Sequence, residues 1–180
     1  MNRREPPSYA PPLQTVRLQL EPYTEARFGD VARILTDPAV LWWRETPMNL
    51  EEVRGAFERV LGEQVFGQGV WLMYERANGG LVGQAMLKPL PSRMEWTEVG
   101  YHLLPDARGK GYATQGAARL LAYGFEDLQL PEVRAVVLPH NLPSQAVMAR
   151  LGMPKVGQVL HADMLHDLFC LPRDAWLERQ

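Results

Sequence analysis

The chain has 180 residues, of which 46% are hydrophobic and 22% charged, and a formal net charge of −2. That length suits one domain with a sizeable buried core, and the near-neutral charge excludes the basic footprint of a nucleic-acid binder or a membrane-surface protein. The single cysteine, Cys170, excludes an internal disulfide and a cysteine-based metal cluster.

In chain order, "MNRREPPSYAPPLQ" has no apolar stretch of the kind a secretory signal needs. Residues 1–12 read as a Pro-rich extended tail and residues 13–180 as one domain. Thr15–Pro22 alternates Val16, Leu18 and Leu20 with polar residues, which predicts a half-buried strand. Thr24–Pro38 predicts a helix with Phe28, Val31, Ile34 and Leu35 on one side, ended by Pro38. An irregular stretch carrying Trp42, Trp43 and Arg44 follows. Asn49 is a suitable N-cap for a helix through Gln64, with acids in its first turn. Then come a strand from Val70, a turn at Gly79 and Gly80, and a second strand from Leu81, which together read as a hairpin. A further strand ends at Leu104. A helix from about Gly111 to Leu128, a strand from Val133 and a helix from Pro143 to Leu151 come next, with Gly152 closing the last. Strands are predicted at Lys155–His161 and within "DMLHDLFCLPRDAWLER". The order predicts a mixed α/β domain on one central sheet.

The stretch "LLPDARGKGYATQGAARLL" carries the chemistry. Gly109 and Gly111 permit positive φ and close backbone approach. Successive N–H groups in such a turn form a nest for an anion. The helix that follows adds its unpaired N–H groups and the positive end of its dipole, so a phosphate group fits there. Arg108 and Lys110 add charge. A P-loop is excluded because GxxxxGK[ST] is absent. A dinucleotide fingerprint fails at its third position, where Thr114 stands. Gly116 costs helix stability relative to alanine, about 1 kcal/mol, so close packing or ligand approach is expected at that point.

The pattern Arg108-x-x-Gly111-x-Ala113 resembles the coenzyme A signature of the GCN5-related N-acetyltransferase (GNAT) family. "EVGYHLLPDARGKGYATQGAARLLAYGF" resembles that family's fourth strand, pyrophosphate loop and helix. "NLPSQAVMARLGM" and "HDLFCLPRDAW" resemble its Asn-x-x-Ser helix and closing strand. The likeness covers nearly all of residues 13–180 and is similar to the RimJ/RimL-like ribosomal-protein alanine N-acetyltransferase branch.

The resemblance implies a mostly antiparallel sheet that splays between its fourth and fifth strands, with helices on both faces. It implies acetyl-CoA as acyl donor and a primary amine as acceptor, either a protein N-terminus or a small molecule. The main chain of Gly109, Lys110, Gly111, Tyr112 and Ala113 would cradle the pyrophosphate, with Arg108 on phosphate or pinning the loop. Leu103 would offer its N–H to the thioester carbonyl, and Asn141 would bond the pantetheine or cap its own helix. Many relatives carry a tyrosine at the position of Met148, and the branch often has serine at that of Ser144. Ser144 is therefore the candidate that protonates or orients the departing sulfur. Glu98 is the first choice of base, with Glu95 and His102 as rivals, and Gln115 stands where the branch often has glutamate. Trp42 and Trp43 either line the acceptor groove or divide between core and surface. The alternative is a non-catalytic acyl-CoA-binding module of the same fold.

His161 and His166, with Asp163 and Asp167, lack convincing metal spacing, and no metal is expected. Cys170 reads as a buried inert thiol. The expected setting is a cytoplasmic monomer or homodimer with neither nucleic acid nor membrane as partner.

Overall fold

The computed structural model describes residues 9–62, 66–90 and 93–179. Among them, eight strands form one sheet. They are β1 (Leu13–Gln14), β2 (Leu18–Pro22), β3 (Gly69–Glu75), β4 (Leu81–Leu90), β5 (Arg93–Leu103), β6 (Glu132–Val137), β7 (Lys155–His161) and β8 (Met164–Pro172). The sheet order is β1-β2-β3-β4-β5-β6-β8-β7. Every neighbouring pair is antiparallel except β5 and β6, which run parallel. The helices are α1 (Phe28–Leu35), α2 (Leu50–Gly62), α3 (Tyr112–Glu126), α4 (Leu142–Arg150) and α5 (Arg173–Leu177).

Alternation along the strands sends side chains to two faces, and each face has its own core. On one, Trp71, Met73, Ala85 and Leu87 pack under α3, α4 and α5 with Leu120, Leu121 and Trp176. On the other, Val70, Leu72 and Met86 pack under α1 and α2 with Val31, Ile34, Val53 and Phe57. The expected reason for Gly116 is close packing: a Cβ there would stand 2.5 Å from Met73 Sδ. Asn49 caps α2 as expected, its Oδ1 accepting from Glu52 N at 2.9 Å while Glu52 Oε2 accepts from Asn49 N at 2.8 Å. The last residues expected in that helix, 63–64, lie outside the described residues.

Three expectations need correction. The strand drawn from Thr15 begins at Leu18, and Val16 is 84% exposed. Thr15 Oγ1 accepts from Leu18 N at 2.8 Å and Arg17 N at 3.2 Å, and this hydroxyl turn lets Leu13 and Gln14 fold back onto β2. The helix drawn from Thr24 starts as a 3-10 turn at Glu25–Arg27 and becomes α-helical at Phe28. The C-terminal segment ends in α5, which anchors itself by Trp176 against Phe125, ring centroids 5.3 Å apart. Of the expected tail, residues 1–8 lie outside the described residues. Ala10 is buried, and Pro11 O accepts from Trp71 Nε1 at 2.7 Å. Among the described residues no helix is long and apolar enough to cross a membrane.

Candidate active site

Between β5 and α3 the chain turns through Gly109 at φ +72° and Gly111 at φ +80°, both in the left-handed region. Among the described residues, none of the main-chain N–H groups from Gly109 to Thr114 donates to a protein acceptor. The first helical bond there runs from Gln115 N to Gly111 O at 3.0 Å. These amides crowd the N-terminus of a 15-residue helix, the arrangement that favours an anion. Side chains from distant strands hold the loop. Arg17 Nη1 donates to Lys110 O at 2.8 Å, and its guanidinium lies 4.3 Å from the Tyr112 ring centroid. The Tyr112 hydroxyl donates to Glu75 Oε1. Arg108 Nη2 donates to Ala39 O at 2.5 Å and Leu103 O at 3.4 Å, so Arg108 pins the loop. Gln115 is also engaged, accepting from Thr15 Oγ1 at 2.7 Å.

β5 and β6 are in register at Glu98 and Arg134. Beyond that point two cavities, of about 960 and about 400 Å³, open beside the strands. Leu104 N donates to Val82 O at 3.0 Å on the β4 side, so ladder alternation points the Leu103 N–H the other way, toward the gap. The larger cavity runs from Gly109, Gly111, Tyr112 and Ala113 past Leu103 to α4. The smaller lies against α1, α2 and the β7–β8 hairpin and reaches Glu98. Trp43, Tyr101, His102, Asn141 and Ser144 line both. The two spaces therefore meet at the splay.

Asn141 Oδ1 accepts from Ser144 N at 3.2 Å and so caps α4, while its amide nitrogen has no protein acceptor among the described residues. Met148 is buried and lines the smaller cavity. Sequence reasoning missed Tyr101. Its hydroxyl is buried, and no hydrogen-bond partner lies within range among the described residues. Burial raises its pKa, and the neighbouring Ser144 hydroxyl opposes that rise. The available signal was the strand period: Tyr101 is two residues before Leu103 and shares its face.

Trp42 and Trp43 are 44% and 36% exposed, so neither belongs to the core. Trp43 packs against His102 and Trp42 against His140, each with centroids 5.4 Å apart. Trp43 lines both cavities, and Trp42 lines the larger.

The three candidate bases separate clearly. Glu95 is exposed. His102 Nδ1 lies 2.9 Å from Gln84 Nε2, and the Tyr23 hydroxyl donates to Gln84 Oε1. Gln84 therefore donates to His102 Nδ1, which puts the ring proton on Nε2. Burial, aided by the Lys88 charge, lowers the His102 pKa to about 4. His102 is a neutral hydrogen-bond donor with its one lone pair already used. Glu98 lies in the wall of the smaller cavity, and burial raises its pKa to about 7 against the opposing pull of Lys88. A carboxylate so tuned suits proton abstraction near neutral pH.

Outside the cleft, Cys170 is buried, donates to Glu132 Oε2 at 3.5 Å, and has its pKa raised by burial. The His161 and His166 rings lie 5.4 Å apart, and among the described residues no group of three or more His, Cys, Asp or Glu could hold a metal ion.

The model of the acetyltransferase (GNAT) domain matches residues 17–154. The chain belongs to the GNAT acetyltransferase family. Within it, the chain is 31% identical over 157 residues to the FsC-acetyl coenzyme A-N(2)-transacetylase of Aspergillus fumigatus, covering 81% of this chain and 66% of that protein. It spans about half or less of other curated relatives, such as a putative ribosomal N-acetyltransferase of Bacillus subtilis, YdaF, 33% identical over 54% of each chain. The fold matches a crystal structure of an Agrobacterium tumefaciens acetyltransferase with a TM-score of 0.77, 27% identity and coverage of 94% and 99% of the two chains. It also matches RimL, a ribosomal alpha-N-protein acetyltransferase in complex with coenzyme A, with a TM-score of 0.73, 18% identity and coverage of 89% and 97%. The unpaired amides beyond Arg108 and the cavity running from them to Ser144 fit the diphosphate and pantetheine arm of a coenzyme A thioester.

Proposed function

We propose that this GNAT protein transfers the acetyl group of acetyl-CoA to a primary amine by direct attack, with no covalent enzyme intermediate. One observation carries the reading: a cavity floored by unpaired loop amides meets a second cavity containing a tuned carboxylate, and they join beside the Leu103 N–H. The amides of Gly109 to Ala113 hold the diphosphate, and Leu103 and Asn141 align the pantetheine. Catalysis comes mainly from fixing the two reactants together. Glu98 takes a proton from the acceptor ammonium. The freed amine attacks the thioester carbon, and the Leu103 N–H stabilises the charge that builds on its oxygen. As the C–S bond breaks, Ser144 and the adjacent Tyr101 hydroxyl deliver a proton to the departing sulfur. Tyr101 stands in for the tyrosine that Met148 replaces.

We place the chain in the RimJ/RimL-like branch on its motif run from Glu98 to Phe125 and from Asn141 to Met153. That branch favours an α-amine as acceptor. A non-catalytic module would have no use for a carboxylate held near neutrality across from the thioester path, which weighs against that alternative. Release of free thiol from acetyl-CoA with a panel of amines tests the proposal. Turnover with at least one amine is expected. Tight acetyl-CoA binding without turnover on any amine would establish the module instead.

A further inference from the structure

Among the described residues, the smaller cavity is lined by two formally charged side chains besides its histidines: Glu98 and Lys88. They are direct register partners on β5 and β4, so both side chains leave the same face of the sheet. No ion pair within 4 Å joins them, and Lys88 has no carboxylate partner among the described residues. Its charge is nevertheless felt at Glu98, His102 and His161, all of which line the same space. His166, the remaining histidine there, turns its Nδ1 to Met164 O at 2.9 Å, and burial raises the pKa of the Tyr23 and Tyr101 hydroxyls that share the wall. Toward α1 and α2 the wall is apolar, with Leu35, Phe57, Val60 and Met86, while Tyr23, Gln84, Tyr101, Asn141 and Ser144 add uncharged polar groups, and the volume is at the small end for ligand pockets.

An unpaired ammonium beside one carboxylate is the wrong lining for a polyamine. A second cationic group would meet Lys88 and find no further acid. It suits a ligand that brings one amine and one anion. We infer that the acceptor is a free α-amino acid with an apolar side chain, its amine presented to Glu98 and its carboxylate held by Lys88. A peptide N-terminus has a neutral amide where the free amino acid has its carboxylate, so it would leave the Lys88 charge partly desolvated and unmatched.

This inference rests on the acetyl-transfer reading, and matched substrates separate the two. Thiol release is measured with phenylalanine, phenylalaninamide, phenethylamine and spermidine, in the protein and in Lys88→Gln and Lys88→Arg. The expected result is a kcat/KM for phenylalanine at least about tenfold above those for the other three. Lys88→Gln is expected to erase that preference and Lys88→Arg to keep most of it, with acetyl-CoA affinity serving as the check that each variant is folded. Equal or better turnover of phenethylamine, phenylalaninamide or spermidine would overturn the inference and leave acetyl transfer standing. So would an undiminished preference in folded Lys88→Gln. No turnover of any amine, with acetyl-CoA still bound, would overturn both.

Discussion

The two sides of the β5–β6 cleft are built from different materials. On the side proposed for the coenzyme the candidate recognising groups are consecutive main-chain amides, Gly109 through Thr114, shaped by two left-handed glycines and a helix start. On the acceptor side they are side chains: Phe57 from α2, Gln84 and Lys88 from β4, Glu98 and His102 from β5, His161 and His166 from the terminal hairpin. A backbone nest depends on a few adjacent residues and serves the same donor whatever the acceptor. A side-chain pocket changes with any of its walls, so acceptor choice can vary while the fold and donor stay fixed.

The comparison would break if damage to one side disabled binding on the other. Glu98→Gln should have the largest effect, lowering kcat/KM by about 10²–10³-fold while acetyl-CoA affinity is retained. Only ionised Glu98 accepts a proton, and burial holds its pKa at about 7. Activity should therefore fall as pH drops through about 7, and that limb should vanish in Glu98→Gln. An unchanged pH profile in the variant would remove Glu98 from the chemistry. Tyr101→Phe should cost about 10–100-fold in kcat without loss of thermal stability. It deletes a buried hydroxyl beside Ser144 that meets no partner within hydrogen-bond range among the described residues, so no close hydrogen bond is broken. Ser144→Ala with unchanged turnover would assign the proton to Tyr101 alone. Gly111→Asp places a side chain at φ +80° and a negative charge among the amides. It should weaken acetyl-CoA binding about tenfold or more, with the acceptor KM little affected. Arg17→Ala removes the bond to Lys110 O and should weaken acetyl-CoA binding about threefold, the scale of one exposed hydrogen bond. Calorimetric titration of acetyl-CoA against each variant measures the last two.

The same division explains what could be read beforehand. The left-handed glycine turn, α3 and the Asn141 cap are local, and each was legible from a handful of neighbouring residues. The strands β3 to β6 and β8 followed from apolar patterning. Where local signals competed, reading failed. Val16 continued the alternation of Leu18 and Leu20, yet Thr15 turned the chain, and the C-terminal segment expected to hold a final strand passes at Pro172 into α5. Nothing adjacent to Lys110 announces Arg17, which is 93 residues away. Nothing adjacent to His102 announces that Gln84 and Tyr23 fix its tautomer. Glu98 is the first choice among three candidate bases on one strand, and packing leaves it half-buried in the cavity wall, exposes Glu95 and engages His102 with Gln84.

By itself, the sequence determined the glycine turn and helix start of the proposed donor side. Glycine conformations, helix starts and strand periods are set by residues a few positions apart, and those positions supply the amides that would meet a diphosphate. The tertiary structure alone decided which carboxylate lies half-buried in the cavity wall, which histidine is already bonded, and that Lys88 stands across from Glu98 without closing on it. Burial and charge proximity depend on which strands and helices come to share a cavity, and in this chain those elements run from Tyr23 to His166.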